Sequence, residues 1–141
     1  MTFVLDASIA LAWCFGDQTN PISESALARL EHEDARVPVL WPLEIANVLI
    51  AAERRGRLSP AQTARFLELL GQLPITVDEI DRETTLTTVL DLARSTGLTA
   101  YDASYLALAA ASAAPLATAD RGLRLAAIGI GVDPVGPPEG R

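Results

Sequence analysis

Phe3-Val4-Leu5-Asp6-Ala7-Ser8-Ile9-Ala10-Leu11-Ala12-Trp13-Cys14-Phe15 is the stretch on which the fold turns. Phe3 to Leu5 is a short apolar run closed by an acid, the size of a buried strand, and Ser8 to Phe15 continues as a helix-like stretch. The chain therefore opens as strand then helix, with Asp6 where the strand ends. The segment has no basic leader, is interrupted by Asp6 and is too short to span a bilayer. It reads as core, and the protein as cytoplasmic with no membrane association.

The same alternation continues outward. Pro21 to Glu33 has helical spacing at Ile22, Leu27 and Leu30; Val37 to Leu40 is a β-rich run, and Pro42 suits the first position of a helix that runs to about Arg55 and stops at Gly56. Ser59-Pro60 starts another helix with Phe66, Leu67, Leu69 and Leu70 near its apolar face, and Pro74 precedes a short strand, Ile75 to Val77. Arg82 to Thr96 reads as a helix closed by Gly97, Thr99 to Ala113 as an alanine-rich helix, and Leu116 to Thr118 as a fourth strand ending near Asp120. A last helix and a short strand around Val132 follow. Strands alternating with helices predict one α/β domain over residues 1–134, with a mainly parallel sheet of about five strands and helices on both faces. Residues 135–141, rich in Pro and Gly, read as a loose tail.

Composition narrows the chemistry. The chain has 141 residues, half of them apolar, enough for one sizeable core. Cys14 is the only cysteine and lies in an apolar run, which excludes a disulfide framework and a cysteine-rich metal site. There is no lysine, and the single histidine, His32, sits in the charged run Glu31-His32-Glu33-Asp34. A phosphate-binding loop with its lysine, a Schiff base and a well-placed serine-histidine triad are thereby excluded or disfavoured, and carboxylates remain as the reactive groups. The net charge of −7 argues against holding nucleic acid on a broad basic surface. Acids gathered around divalent cations would reverse that local electrostatics.

Four acids fall at telling places. In an open parallel sheet ligands bind beyond the carboxyl ends of the strands, where Asp6 and Asp120 lie. Glu44 and Asp102 each stand in the first turn of a predicted helix. Each acid alone has a structural explanation: Asp6 and Asp120 as helix caps, Glu44 as a complement to a helix dipole, and Asp102 as the far end of a capping box from Thr99. Together, four anions in one crevice would raise one another's pKa unless a cation compensates them, which favours a Mg²⁺ or Mn²⁺ site with oxygen ligands. Paired ions roughly 4 Å apart can activate water and stabilise the leaving oxygen of a phosphodiester without any histidine. Ser8, Asn47 and Thr118, each close in sequence to one acid, would orient ligands or cap backbone locally.

Arg54, Arg55 and Arg57, near a helix end, with Arg121 and Arg124, are the candidate contacts to a nucleic-acid backbone. Tyr101, Tyr105, Trp13 and Trp41 read as core aromatics, with no site role assigned.

Val4-Leu5-Asp6-Ala7-Ser8, Glu44-Ile45-Ala46-Asn47, Thr99-Ala100-Tyr101-Asp102-Ala103-Ser104-Tyr105-Leu106-Ala107-Leu108-Ala109 and Leu116-Ala117-Thr118-Ala119-Asp120-Arg121-Gly122-Leu123 follow one another in the order and spacing of a known pattern. With these four motifs the chain resembles a PIN domain of the VapC toxin type, over nearly its whole length. The resemblance implies an acidic quartet of Asp6, Glu44, Asp102 and Asp120, with Asp6 and Asp102 foremost among the metal ligands and Ser8, Asn47, Thr99 and Thr118 orienting ligands or water. It also implies Mg²⁺- or Mn²⁺-dependent endonucleolytic cleavage of RNA, a homodimer, and a small antitoxin lying along the helices at 42 to 56 and 59 to 73.

A phosphatase of the haloacid-dehalogenase type would need a second aspartate where Ser8 stands, and a later lysine. A non-catalytic RNA- or partner-binding module on the same fold is the alternative, since fold does not fix function. Action on DNA as well as RNA stays open from the residues alone.

Overall fold

Phe3, Val4 and Leu5 are fully buried in an interior strand whose two faces are both covered, which is why they form an unbroken apolar run instead of alternating with polar residues. The computed structural model describes residues 1–137. Strand β1 (Thr2–Leu5) leads into α1 (Ala7–Cys14), a short 3₁₀ turn and α2 (Pro21–Arg29). Next come β2 (Asp34–Pro38), the helical pair α3 (Trp41–Arg54) and α4 (Pro60–Gln72), and β3 (Ile75–Asp78). Short α5 (Arg82–Thr84) continues through a π-helical turn, Thr85–Val89, into α6 (Leu90–Thr96). Helix α7 (Ala100–Ser112), β4 (Leu116–Ala117) and α8 (Arg121–Gly129) complete the order.

All strand pairs are parallel, in the order β3-β2-β1-β4. From β1 the chain steps outward to β2 and β3, then returns to place β4 on the other side of β1. The order reverses between β1 and β4, so a crevice opens at their carboxyl ends. Asp6 follows β1 directly, and its N–H donates to Ala117 O at 3.0 Å, which fixes it beside the end of β4.

Local chemistry sets the helix starts. Asn20 and Ser59 accept from the N–H three residues on and close reciprocal capping boxes with Ser23 and Gln62, each ahead of a proline that needs no donor partner. In α7 every residue from Ala103 to Ala109 is buried, as expected of a helix with small apolar residues all round.

Three expectations are adjusted. Strand β2 begins at Asp34 and ends at Pro38, so Val39 and Leu40 belong to the turn into α3 and Pro42 is the second helical residue. The stretch 82–96 is not uniformly α-helical: Thr85 and Thr87 turn their hydroxyls onto the carbonyls of Asp81 and Glu83, at 3.1 and 2.8 Å, where β-branched residues and side-chain bonds loosen the regular ladder. The fifth strand reduces to one bridge between Leu116 and Pro134, because proline has no N–H to extend a ladder.

The tail is also corrected in part. Val135 is buried, and Arg124 donates to Val135 O at 3.0 Å and Pro137 O at 2.7 Å, so 135–137 pack on the domain. Residues 138–141, the rest of the expected tail, lie outside the described residues.

Candidate active site

Asp6 is buried, 7% exposed, where an ionised carboxylate is costly unless it is bonded. Its Oδ2 accepts from Thr118 Oγ1 at 2.6 Å and Ser8 Oγ at 3.0 Å. Asp6 occupies the N-cap position of α1 but makes no side-chain cap bond, and the same holds for Asp120 ahead of α8. The capping explanation therefore fails for both. Thr118 Oγ1 also accepts from the Asp120 N–H at 3.1 Å, so one buried hydroxyl registers both aspartates.

Glu44 and Asp102 arrive on helix first turns. Asp102 N–H donates to Thr99 Oγ1 at 3.2 Å, and no reciprocal bond from the Asp102 carboxylate accompanies it, so only half of the expected box forms. Glu44 Oε1 accepts from the Tyr105 hydroxyl at 2.5 Å. Tyr105 is fully buried, and its bond joins α3 to α7 across 61 residues of sequence. Its role was missed in the sequence because it resembles a core aromatic; its place three residues after Asp102, on the same helix face, was the available signal.

The acids feel one another. Burial raises the carboxyl of Asp6 above its ordinary value, the hydroxyls of Thr118 and Ser8 pull it back, and the charge of Asp120 adds to the rise. Burial also raises Asp102, followed by the charges of Asp6 and Asp120. Glu44 rises by burial, against the lowering effect of the Tyr105 bond, with Asp6 and Asp102 pushing the same way as burial. Burial and the bond to Glu44 hold the Tyr105 phenol far above its usual range, so it stays a proton donor to Glu44. Asp6 thus feels the charge of Asp120, Asp102 those of Asp6 and Asp120, and Glu44 those of Asp6 and Asp102, which draws the four acids together beyond the carboxyl ends of β1 and β4.

Among the described residues no three acidic, histidine or cysteine side chains stand close enough to enclose one ion. The site is a string of interacting carboxylates, not a closed cage. Its donor set of carboxylates flanked by hydroxyls, with no sulfur or imidazole, fits a hard divalent cation that keeps some of its waters.

Asn47 is exposed and lines a cavity with Glu44, Thr99 and Asp102. Arg121 is exposed directly after Asp120. Arg54 and Arg55 are exposed at the far end of α3, about 15 Å along the helix from Glu44 at 1.5 Å per residue, so the fold does not bring them to the acids. Arg57 lies 3.5 Å from Asp17 and over the Phe15 ring at 5.3 Å. Arg124 is withdrawn as a nucleic-acid contact: it is buried and its guanidinium is committed to the carbonyls of Val135 and Pro137. Of the four aromatics read as core, Trp41 and Tyr105 are buried and Trp13 partly so, but Tyr101 is 70% exposed.

No curated protein sequence matches the chain. Among solved structures, the crystal structure of PAE2754 from Pyrobaculum aerophilum is similar, with a TM-score of 0.69 and 27% identity over 89% of this chain and 84% of that one. The sequence profile of the PIN domain matches residues 3–129, which span all four acids. With that match over most of its length and the same fold in a solved neighbour, the chain belongs to the PIN domain family, whose members are generally nucleases.

Proposed function

We propose that this chain is a Mg²⁺- or Mn²⁺-dependent endoribonuclease and acts as the toxin of a toxin-antitoxin pair. The observation that carries the reading is the burial of Asp6 at the β1/β4 crevice, in electrostatic contact with Asp102, Asp120 and Glu44 and capping no helix. Uncompensated, such a set destabilises the fold; a structural protein has no use for it.

Asp6, Asp102, Asp120 and Glu44 would hold the cation, and the bound ion would supply an activated water and stabilise the leaving oxygen. The protein's own part is orientation. Ser8 and Thr118 occupy Asp6 Oδ2 and fix the plane of its carboxylate. Tyr105 holds Glu44 Oε1. Arg121 stands exposed beside Asp120, where it can meet a phosphate oxygen of the substrate.

The partner reading draws on a second surface. A cavity of about 430 Å³ between α3, α4 and β3 is lined by Ile45, Leu49, Leu67 and Val77, and Trp41 Nε1 is buried beside it without an acceptor. An antitoxin segment laid in this groove would cover apolar surface and supply the missing acceptor. A homodimer belongs to the same proposal. Among the described residues no helix is long and apolar enough to cross a membrane.

The test is to incubate the purified chain, freed of copurified partners, with total cellular RNA in Mg²⁺ or Mn²⁺, beside EDTA and Asp102→Asn controls, and to map new ends. Discrete cuts lost in both controls are expected. Intact RNA from folded, ion-bound protein would favour the non-catalytic binding module, and equal cutting of matched DNA would remove the RNA preference.

A further inference from the structure

Tyr101 and Leu43 are 70% and 74% exposed, a large apolar exposure immediately beside two of the acids. Both line a cavity of about 560 Å³ whose wall includes Glu44, Asn47 and Asp102. Tyr101 sits on the first turn of α7 one residue before Asp102, and Leu43 on the first turn of α3 one residue before Glu44. Each acid therefore has an exposed apolar neighbour on the same open cavity. Neither neighbour helps the core, and among the described residues the Tyr101 hydroxyl has no hydrogen-bond partner; its backbone carbonyl, bonded to Ser104 Oγ at 2.6 Å, fixes the turn that carries it.

We propose that this cavity is a nucleobase subsite: an unpaired base flanking the scissile phosphate stacks on the Tyr101 ring, with Leu43 covering its edge and the Asn47 amide facing its polar rim. This rests on the ribonuclease reading above and adds to it the residues that hold one base beside the cut. The physical reason is reach. A phosphodiester held at Glu44 and Asp102 carries a nucleoside on each side, and the surface those nucleosides first meet around these two acids is the cavity shared with Tyr101 and Leu43. With a net charge of −7 the chain cannot hold RNA by phosphate neutralisation over a broad face, and stacking on an aromatic ring supplies affinity that needs no positive charge. A base in a duplex has both faces occupied, so the subsite selects single strands, loops and bulges.

The test uses the full-length chain with a short RNA hairpin carrying a mapped cut in its loop, and a fluorescent single-stranded oligonucleotide of the loop sequence for binding in Ca²⁺. Tyr101→Ala is expected to weaken both KM for the hairpin and oligonucleotide affinity by about five- to 150-fold, the usual worth of one base stacked on an aromatic, with kcat within about threefold. Tyr101→Phe, which keeps the ring, stays within about twofold of wild type. An abasic substitution at one nucleotide beside the cut reproduces the loss in wild type and adds nothing in Tyr101→Ala.

Wild-type KM and affinity in Tyr101→Ala, with cleavage intact, would overturn the subsite and leave the nuclease. Tyr101-dependent binding without cleavage would keep the subsite and overturn the nuclease. Loss of a dimer in Tyr101→Ala with unchanged oligonucleotide affinity would reassign this face to contact between copies of the chain and also overturn the subsite.

Discussion

Helix α3 turns two faces to two different surfaces. Trp41, Ile45, Leu49 and Glu53, at four-residue spacing, face the groove shared with α4 and β3; Leu43, Glu44 and Asn47 face the cavity beside the acids. The first surface is apolar and holds one buried N–H, that of Trp41, without an acceptor. The second carries Glu44 and Asp102 and borders the buried Asp6; Asp6 accepts from two hydroxyls and Glu44 from a tyrosine. The comparison teaches that satisfied hydrogen bonds and satisfied charge are different things. Asp6 and Glu44 have their hydrogen bonds and still feel the charges of the other acids, which an ion can relieve; the groove has almost no charge and an unmet donor, which a polypeptide can relieve.

The largest expected effect separates the two surfaces outright. Asp6→Asn keeps the shape and removes one charge of the set, and should lower cleavage by roughly 10³-fold or more while leaving the groove intact. Retained activity in a gel-based cleavage assay would break the assignment of Asp6 to the chemistry.

On the groove side, Leu49 is buried and Ile50, one residue on, is 39% exposed. Leu49→Ala should cost about 2–5 kcal/mol in urea unfolding and Ile50→Ala well under half of that, with kcat per folded molecule unchanged in both. A fall in kcat for Ile50→Ala would show that the two faces of α3 are not independent.

A smaller effect tests whether the tyrosine serves the site or only the core. Tyr105→Phe removes the hydroxyl that holds Glu44 and should reduce Mn²⁺ affinity or kcat by about 10- to 100-fold, as loss of a ligand-orienting partner generally does. In a Glu44→Gln background the same substitution should cost much less. Equal losses in both backgrounds would mean that Tyr105 acts through packing.

The smallest expected effect is on pH. Asp6, Glu44 and Asp102 all titrate above their ordinary values, raised chiefly by burial, so the folded chain binds more protons than the unfolded chain between those values and the raised ones. Without a divalent ion, stability should rise as pH falls from neutral through the raised values towards the ordinary carboxylate range, and Mg²⁺ should remove most of the difference by favouring the ionised forms. Glu33, lowered by the Arg29 bond, and Asp81, lowered by bonds from Thr84, lose their contributions only on further acidification. A thermal scan of wild type against Glu44→Gln isolates the site: identical pH dependence in the two would remove Glu44 from the coupled set.

Sequence alone determined the strand-helix alternation, the helix starts at Pro21 and Ser59, and the positions of the four acids at strand ends and helix first turns, because capping, period and apolar runs are local properties of the chain. It could separate neither Arg124 from Arg121 nor Tyr101 from Tyr105. Each pair consists of like residues close together on one helix, and only packing decides that Arg124 is buried against Val135 and Pro137 while Arg121 meets solvent. Packing likewise sends Tyr105 inward to Glu44 and leaves Tyr101 on the cavity. Tertiary structure also decided the fate of the caps: Asp6 and Asp120 stand at N-cap positions, and the parallel pairing of β1 with β4 places Thr118 where it engages both. Residues 112 positions apart meet there through strand order, a long-range property that no window of sequence contains.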